Sequence, residues 1–178
     1  MKATIKTHEP LIWNFIRTVV QIGDKIPEFS LLDQNGVKRS NKGLKSPLVL
    51  FFYPKDDTPG CTIEVCGFRD KYDLFKVLGA QVWGVSNGST SSHLAFANKN
   101  KLQYPLLCDT NDSLRKTFKV PRVLGFMDGR VTYVIDRKGT VRHIFRDLLN
   151  GPEHIKDCLL YTSPSPRDLS TSRMPSSA

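Results

Sequence analysis

The stretch FFYPKDDTPGCTIEVCGFRD, residues 51–70, decides the fold of this chain and holds its most reactive side chains. The run LVLFFY, residues 48–53, is continuously apolar, and its length and aromatic content are typical of a central strand buried on both faces. Pro54 ends that strand, because a proline cannot donate a hydrogen bond to a central ladder. The sequence therefore predicts a buried strand, then a short loop, then a segment with two cysteines.

The segment after the loop has the pattern of an amphipathic helix over residues 61–78. Its apolar residues recur at spacings of three and four: Val65, Phe68, Tyr72 and Phe75. Thr58 and Pro59 are start signals for this helix, and Gly79 is a stop signal.

Cys61 lies at the predicted first turn of the helix, where unpaired N–H groups and a partial charge of roughly +0.5 stabilise a thiolate. Thr58 is expected to point its hydroxyl at the same sulfur, while Pro54 and Pro59 stiffen the loop and help to exclude water. The alternative is a buried structural thiol, which is what most single cysteines are. The junction of loop and helix, with a second cysteine five residues on, favours a nucleophile instead.

Cys66 lies five residues after Cys61 on the same predicted helix. In an intact helix their Cα atoms would be ~8.7 Å apart. A disulfide requires less than about 7 Å between Cα atoms. If the two cysteines form a disulfide, at least one turn must unwind, and Gly67 would ease this because glycine weakens a helix.

The rest of the chain alternates strands with helices. Strands are predicted over residues 22–32, 80–86, 104–108, 130–136 and 140–145, and helices from Ser91 or Ser92 to 101, over 111–118 and from 151. Residues 137–139 have the signature of a hairpin turn. This order predicts an α/β protein in which helices flank a central mixed β-sheet, and it fits a thioredoxin-like fold.

The two ends differ from the body of the chain. Residues 1–21 are interpreted as an N-terminal extension, either part of an organelle transit peptide or a short natural segment. Residues 22–157 form the predicted single domain. Residues 158–178 are rich in Ser, Pro and Thr, and their first eleven resemble a translated sequencing adapter, so we expect a disordered, non-native tail in which Cys158 has no biological role.

Composition excludes several classes of protein. The net charge is +9, but the basic residues are scattered, so no nucleic-acid partner is predicted. No apolar run approaches ~20 residues, so no membrane partner is predicted either. No second Cys/His pair lies at metal-ligand spacing, Cys108 is interpreted as a small core residue, and the histidines at 93, 143 and 154 as ordinary ones.

Residues 51–70 resemble the peroxiredoxins, whose P-x-x-x-T-x-x-C motif corresponds to Pro54, Thr58 and Cys61. The string TPGCTIEVCGFRD is similar to the peroxiredoxin Q branch, also called bacterioferritin comigratory protein, in which the resolving cysteine matches Cys66. Downstream, STSSHLAFANK and DGRVTYVIDRKG are similar to further elements of that branch. The resemblance covers residues 22–157, and it matches the family's active-site arginine to Arg130, while Arg69 is assigned a structural role.

The resemblance implies a thioredoxin-dependent peroxide reductase with antioxidant function. Cys61 would reduce hydrogen peroxide and small organic hydroperoxides, and Cys66 would resolve the sulfenic acid as a disulfide. Arg130, Thr58 and backbone N–H groups would stabilise the developing charge. Thioredoxin or a similar dithiol protein would supply the electrons without a metal, flavin or haem cofactor. A monomer in a reducing compartment, either cytoplasm or plastid, is expected.

Two other functions remain open. A general thiol–disulfide oxidoreductase would have a C-x2-C motif, which the sequence lacks, and would not need Thr58 with Arg130. A non-enzymatic redox sensor or chaperone-like binding protein would use the same helix switch to expose a surface. Peroxide turnover with a thioredoxin system distinguishes the sensor from the enzyme.

Overall fold

The computed structural model describes residues 20–123, 127–146 and 151–162. Nine strands and five helices lie in this part of the chain, in the order β1 (Ser30–Leu32), β2 (Lys38–Ser40), β3 (Leu48–Phe52), α1 (Pro59–Asp70), α2 (Tyr72–Val77), β4 (Gln81–Ser86), α3 (Thr90–Asn100), β5 (Leu106–Cys108), α4 (Ser113–Thr117), β6 (Arg122–Val123), β7 (Met127–Asp128), β8 (Val131–Ile135), β9 (Val141–Phe145) and α5 (Gly151–Thr162).

The central sheet has five strands in the order β5-β4-β3-β8-β9. β3 runs parallel to β4 and antiparallel to β8, so the sheet is mixed, as predicted. The register pairs Phe52 at the end of β3 with Val131 at the start of β8. The residue that precedes β8, Arg130, therefore lies beside the loop that leaves β3.

All five residues of β3 are buried because side chains alternate between the two covered faces of the sheet. Val49 and Phe51 pack into the cluster that includes α1, α3 and α5, whereas Leu48, Leu50 and Phe52 pack on the opposite face with α4. The continuous apolar run of the sequence thus corresponds to a strand with two buried faces. Helices on both faces confirm the predicted α/β architecture with a thioredoxin-like fold.

The structure departs from the predicted elements in three places. The sequence predicted a single helix over residues 61–78, but the structure has two helices there, and Lys71 lies between them outside both. Ser89 caps α3, not Ser91 or Ser92, because its Oγ accepts a hydrogen bond from the N–H of Ser92. The short strand pairs β1–β2 and β6–β7 are antiparallel and lie outside the central sheet. Of these four strands, the sequence predicted only β1, as part of an extended segment.

The predictions for the two ends of the chain have different outcomes. Residues 1–19, and so most of the predicted N-terminal extension, lie outside the described residues, as do residues 163–178 of the predicted tail. α5 continues to Thr162, past the predicted domain boundary at 157, and Cys158 is buried in the core. Residues 158–162 are therefore helical, although the sequence predicted a disordered tail from Cys158. The non-native origin of the tail stays a prediction. None of the helices among the described residues is long and apolar enough to cross a membrane.

The packing of α1 on β3 gives a direct test of the fold. The rings of Phe68 and Phe51 stack with centroids 4.5 Å apart, and both side chains are fully buried. We expect Phe68→Ala to lower the free energy of unfolding by about 3–5 kcal/mol, as large-to-small substitutions in cores do. Val77→Ala is the control, since Val77 is 85% exposed and should change stability by less than about 0.5 kcal/mol. Equal losses in urea unfolding of the two variants would contradict this packing.

Candidate active site

α1 begins at Pro59, two residues before the predicted range of 61–78, and Thr58 is its N-cap in extended conformation. Cys61 is the third residue of the helix and is 1% exposed. The sulfur therefore lies in the first turn, where the orphan N–H groups and the positive end of the helix dipole stabilise a negative charge. Cys61 has the placement expected of a nucleophile.

Arg130 reaches Cys61 from the position directly before β8. Its Nη2 lies 3.5 Å from the Cys61 sulfur, and its side chain is 4% exposed. A Cβ built on Gly60 would lie 3.4 Å from the same Nη2, so the guanidinium also lies close to the backbone of the first turn of α1. The prediction that Arg130 holds the sulfur agrees with this geometry, although Arg130 precedes β8 instead of starting the strand.

Glu64 is part of the same cluster, and the sequence analysis did not identify it. Its carboxylate is fully buried and forms an ion pair with Nη1 of Arg130. Burial raises the pKa of Glu64 to about 8, against the attraction of Arg130, which lowers it. A protonated Glu64 leaves the positive charge of Arg130 available to the sulfur, whereas an ionised Glu64 competes for it. The signal in the sequence was an acidic residue three positions after Cys61, on the same face of the helix.

Arg115, on α4, connects the two backbone segments that form the site. Its side chain donates to the carbonyl oxygens of Tyr53 and Gly129, both at 2.9 Å. These residues directly precede Pro54 and Arg130. Burial lowers the pKa of Arg115, opposed by Asp128 and Asp112. Because Arg115 is 3% exposed, these carbonyls compensate for the loss of water and fix the spacing between the loop and β8.

A buried carboxylate, Asp56, fixes the loop between β3 and α1. It accepts hydrogen bonds from the Tyr53 hydroxyl, from the Ser92 hydroxyl and from Nδ1 of His93, each at 2.7 Å. His93 is 0% exposed. His93 is therefore a core residue with an acid partner, and the sequence spacing did not reveal that partner because it lies 37 residues away in the chain.

The other two predicted site residues lie in the same loop. Thr58 donates its hydroxyl to the carbonyl oxygen of Lys55 at 3.2 Å, so it does not point its proton at Cys61 as we predicted. The local turn of the loop supplies this nearer acceptor. Pro54 follows β3 directly, and its carbonyl oxygen accepts a hydrogen bond from Ser86 at 3.3 Å. A role for Pro54 in excluding water stays a prediction.

Cys66 lies five residues along α1 and is a free thiol, as is Cys61. Its partly buried sulfur contacts Arg69 and Asn100. Burial raises the pKa of Cys108 and of Cys158, so both favour the protonated thiol, which is a poor nucleophile. Cys108 is buried in β5, which confirms its assignment to the core.

The structure describes the side chain of only one of the other two histidines that the sequence analysis interpreted as ordinary residues. Nε2 of His143 lies 3.5 Å from Asp157, so this residue also has an acid partner that the sequence spacing did not reveal. The side chain of His154 lies outside the described residues. Among residues 20–123, 127–146 and 151–162, no cluster of three or more His, Cys, Asp or Glu side chains could hold a metal ion.

The Asp56 network predicts a pH dependence of stability. Burial raises the pKa of Asp56, but the hydrogen bonds from His93 and Ser92 outweigh it and lower the pKa below its ordinary value of 3.8. A lowered folded-state pKa stabilises the protein above the ordinary value, and this contribution is lost as the pH falls through the folded-state pKa. We expect Asp56→Asn to lose stability at neutral pH, with the difference from the parent shrinking on acidification. Asp57→Asn, at a half-exposed neighbour, is the control; a difference for Asp56→Asn that grows below pH 3.8 would contradict the network.

Comparison with known proteins agrees with this geometry. Residues 22–144 match the AhpC/TSA family. The chloroplastic peroxiredoxin Q of Sedum lineare is 43% identical over 152 residues, which cover 84% of this chain and 82% of that protein. The chloroplastic peroxiredoxin Q of Arabidopsis thaliana is 46% identical over 144 residues, covering 80% and 67% of the two chains.

Solved structures show the same likeness. Peroxidoxin BcpB from Mycobacterium tuberculosis superposes with a TM-score of 0.74 at 33% identity, covering 80% of this chain and 96% of that chain. Xanthomonas campestris peroxiredoxin Q has a TM-score of 0.67 at 29% identity, covering 75% and 89%. The chain therefore belongs to the AhpC/TSA family and, within it, to the peroxiredoxin Q group of peroxidases.

Proposed function

We propose that this peroxidase reduces hydrogen peroxide and small organic hydroperoxides through Cys61, forms a disulfide between Cys61 and Cys66, and regains its electrons from thioredoxin or a similar dithiol protein. The observation that carries the proposal is the buried Cys61 sulfur in the first turn of α1, 3.5 Å from the guanidinium of Arg130. A fixed cation and a helix N-terminus both act where negative charge develops during attack on a peroxide.

In the first step the Cys61 thiolate attacks the terminal oxygen of the peroxide. A sulfur–oxygen bond forms, the oxygen–oxygen bond breaks, and the leaving oxygen takes the electron pair and a proton to give water or an alcohol. Cys61 is oxidised to a sulfenic acid. Arg130 stabilises the charge on sulfur and on the leaving oxygen, and the bond of Arg115 to the carbonyl before Arg130 holds this group in place.

In the second step the Cys66 thiolate attacks the Cys61 sulfur, so a sulfur–sulfur bond forms and the sulfur–oxygen bond breaks with loss of hydroxide. α1 is continuous from Pro59 to Asp70, and positions five apart on such a helix are ~8.7 Å apart at Cα. A disulfide requires a closer approach. Resolution therefore requires part of α1 to unwind, with loss of the hydrogen bond from the Tyr104 hydroxyl to the Val65 carbonyl.

In the third step a dithiol protein reduces the disulfide by thiol exchange, and no metal, flavin or haem takes part. The relatives are named as chloroplastic proteins, which favours the plastid over the cytoplasm for this chain. We further propose that the protein acts as a monomer and that Thr58 and Pro54 shape the peroxide pocket.

A Cys66→Ser variant tests the two cysteine roles. With one equivalent of hydrogen peroxide, we expect the parent to lose two thiols and to form the disulfide between Cys61 and Cys66, detected by peptide mass spectrometry. Cys66→Ser should lose one thiol at an unchanged rate, because Cys61 still reacts, but should not turn over with thioredoxin and its reductase.

Cys108→Ser is the matched control, because its thiol is buried in the core and should not contribute to thiol loss or turnover. Full turnover by Cys66→Ser with thioredoxin would refute the resolving role. Peroxide oxidation of the parent at the slow rate of an unactivated thiol would refute the role of Cys61 and favour a redox-sensing function.

A further inference from the structure

The sulfur of Cys66 contacts two polar side chains, one on α1 and one at the end of α3. Its Sγ donates to Oδ1 of Asn100 at 3.5 Å and accepts from Nη1 of Arg69 at 3.4 Å. Both partners are side chains that the peroxidase mechanism above does not use. These contacts are separate from those of Cys61, whose sulfur lies beside Arg130.

Both partners of the sulfur are themselves fixed. Nη1 of Arg69 also donates to the carbonyl oxygen of Asn100 at 2.8 Å, at the C-terminus of α3, where a cation is favourable. The side-chain amide of Asn100 donates to the Phe96 carbonyl at 2.9 Å, which leaves its Oδ1 facing Cys66. Arg69 thus has the structural role that the sequence analysis assigned, and it contacts the reactive sulfur in addition.

These contacts exist only while α1 is helical. Cys66 must leave its position on the helix to reach Cys61, since the intact helix holds positions five apart too far from each other for a disulfide. The sulfur then loses Asn100 and Arg69 together. Interactions present in the reduced form and absent from the disulfide stabilise the reduced form, and they raise the barrier to leaving it.

We propose that Arg69 and Asn100 form a latch that holds the reduced Cys66 sulfur. The latch slows resolution of the Cys61 sulfenic acid and makes the disulfide easier to reduce. This inference rests on the proposed function, because it needs the disulfide between Cys61 and Cys66. Arg69 and Asn100 are positioning residues, since they act through Cys66 and do not contact the peroxide-reactive Cys61 sulfur.

Arg69 could instead activate Cys66, and that role predicts the opposite change in the rate of resolution. If its charge mainly activated the Cys66 thiolate as a nucleophile, removal of the guanidinium would slow resolution. The thiol proton directed at Asn100 and the second bond of Arg69 to the α3 carbonyl both favour the latch. The sign of the rate change therefore separates the two roles.

The test compares Arg69→Met and Asn100→Leu with the parent by stopped flow, after mixing the reduced protein with one equivalent of hydrogen peroxide. The first phase reports oxidation of Cys61, and the second reports disulfide formation. We expect each variant to leave the first phase unchanged and to speed the second by up to about tenfold. Equilibration with dithiothreitol should show that the equilibrium constant of each variant favours the disulfide by a similar factor. This change corresponds to a shift of about −30 mV in the reduction potential of the disulfide.

Asp70→Asn is the matched control, because it removes the ion pair of Arg69 with Asp70 at 2.7 Å and leaves the sulfur contact intact. Its second phase should match the parent. A second phase that is unchanged or slower in both Arg69→Met and Asn100→Leu, with circular dichroism showing folded proteins, would overturn the latch. If the parent itself forms no disulfide between Cys61 and Cys66, the proposed function fails and the latch fails with it.

Discussion

The contact between the Arg130 guanidinium and the Cys61 sulfur is the interaction on which the site depends. Cys61 lies on α1, which follows β3, and Arg130 directly precedes β8. The pairing of Phe52 with Val131 brings these two segments to the same end of the sheet. Burying a cation is costly unless it is paired and hydrogen-bonded. Glu64 offsets that cost, and Arg115 fixes the backbone that carries Arg130. Two buried charged side chains, Glu64 and Arg115, thus hold one positive charge beside one sulfur.

The same helix that, in the proposed mechanism, activates Cys61 also keeps Cys66 apart from it. A stable α1 supplies the positive end of a helix dipole to the nucleophile, whereas the disulfide requires that helix to unwind. The stacking of Phe68 on Phe51 and the bond from Tyr104 to the Val65 carbonyl favour the helix. In the proposed mechanism, the balance between these contacts and the sulfur–sulfur bond determines how easily the protein moves between its reduced and oxidised forms.

Local sequence patterns predicted most of the fold and the positions of Cys61 and Cys66 on α1. This was possible because the residues that determine strand β3 and helix α1 are neighbours in the sequence. The family resemblance added Arg130. The partners of Asp56 and of Arg115 could not be read from the sequence, since His93 and the Gly129 carbonyl approach only in the folded chain. The Thr58 hydroxyl does not point at Cys61 for a related reason, because the folded loop places the Lys55 carbonyl oxygen within its hydrogen-bond reach.

The most direct test of this account is the bimolecular rate constant for hydrogen peroxide with reduced Arg130→Met, measured by stopped-flow fluorescence. The account predicts a fall of about 100-fold or more, as for loss of one donor from an oxyanion hole. Arg142→Met is the control, since Arg142 is exposed on β9 and pairs with Asp136, and it should react like the parent. A rate for Arg130→Met within about twofold of the parent would contradict the claim that the guanidinium makes Cys61 reactive.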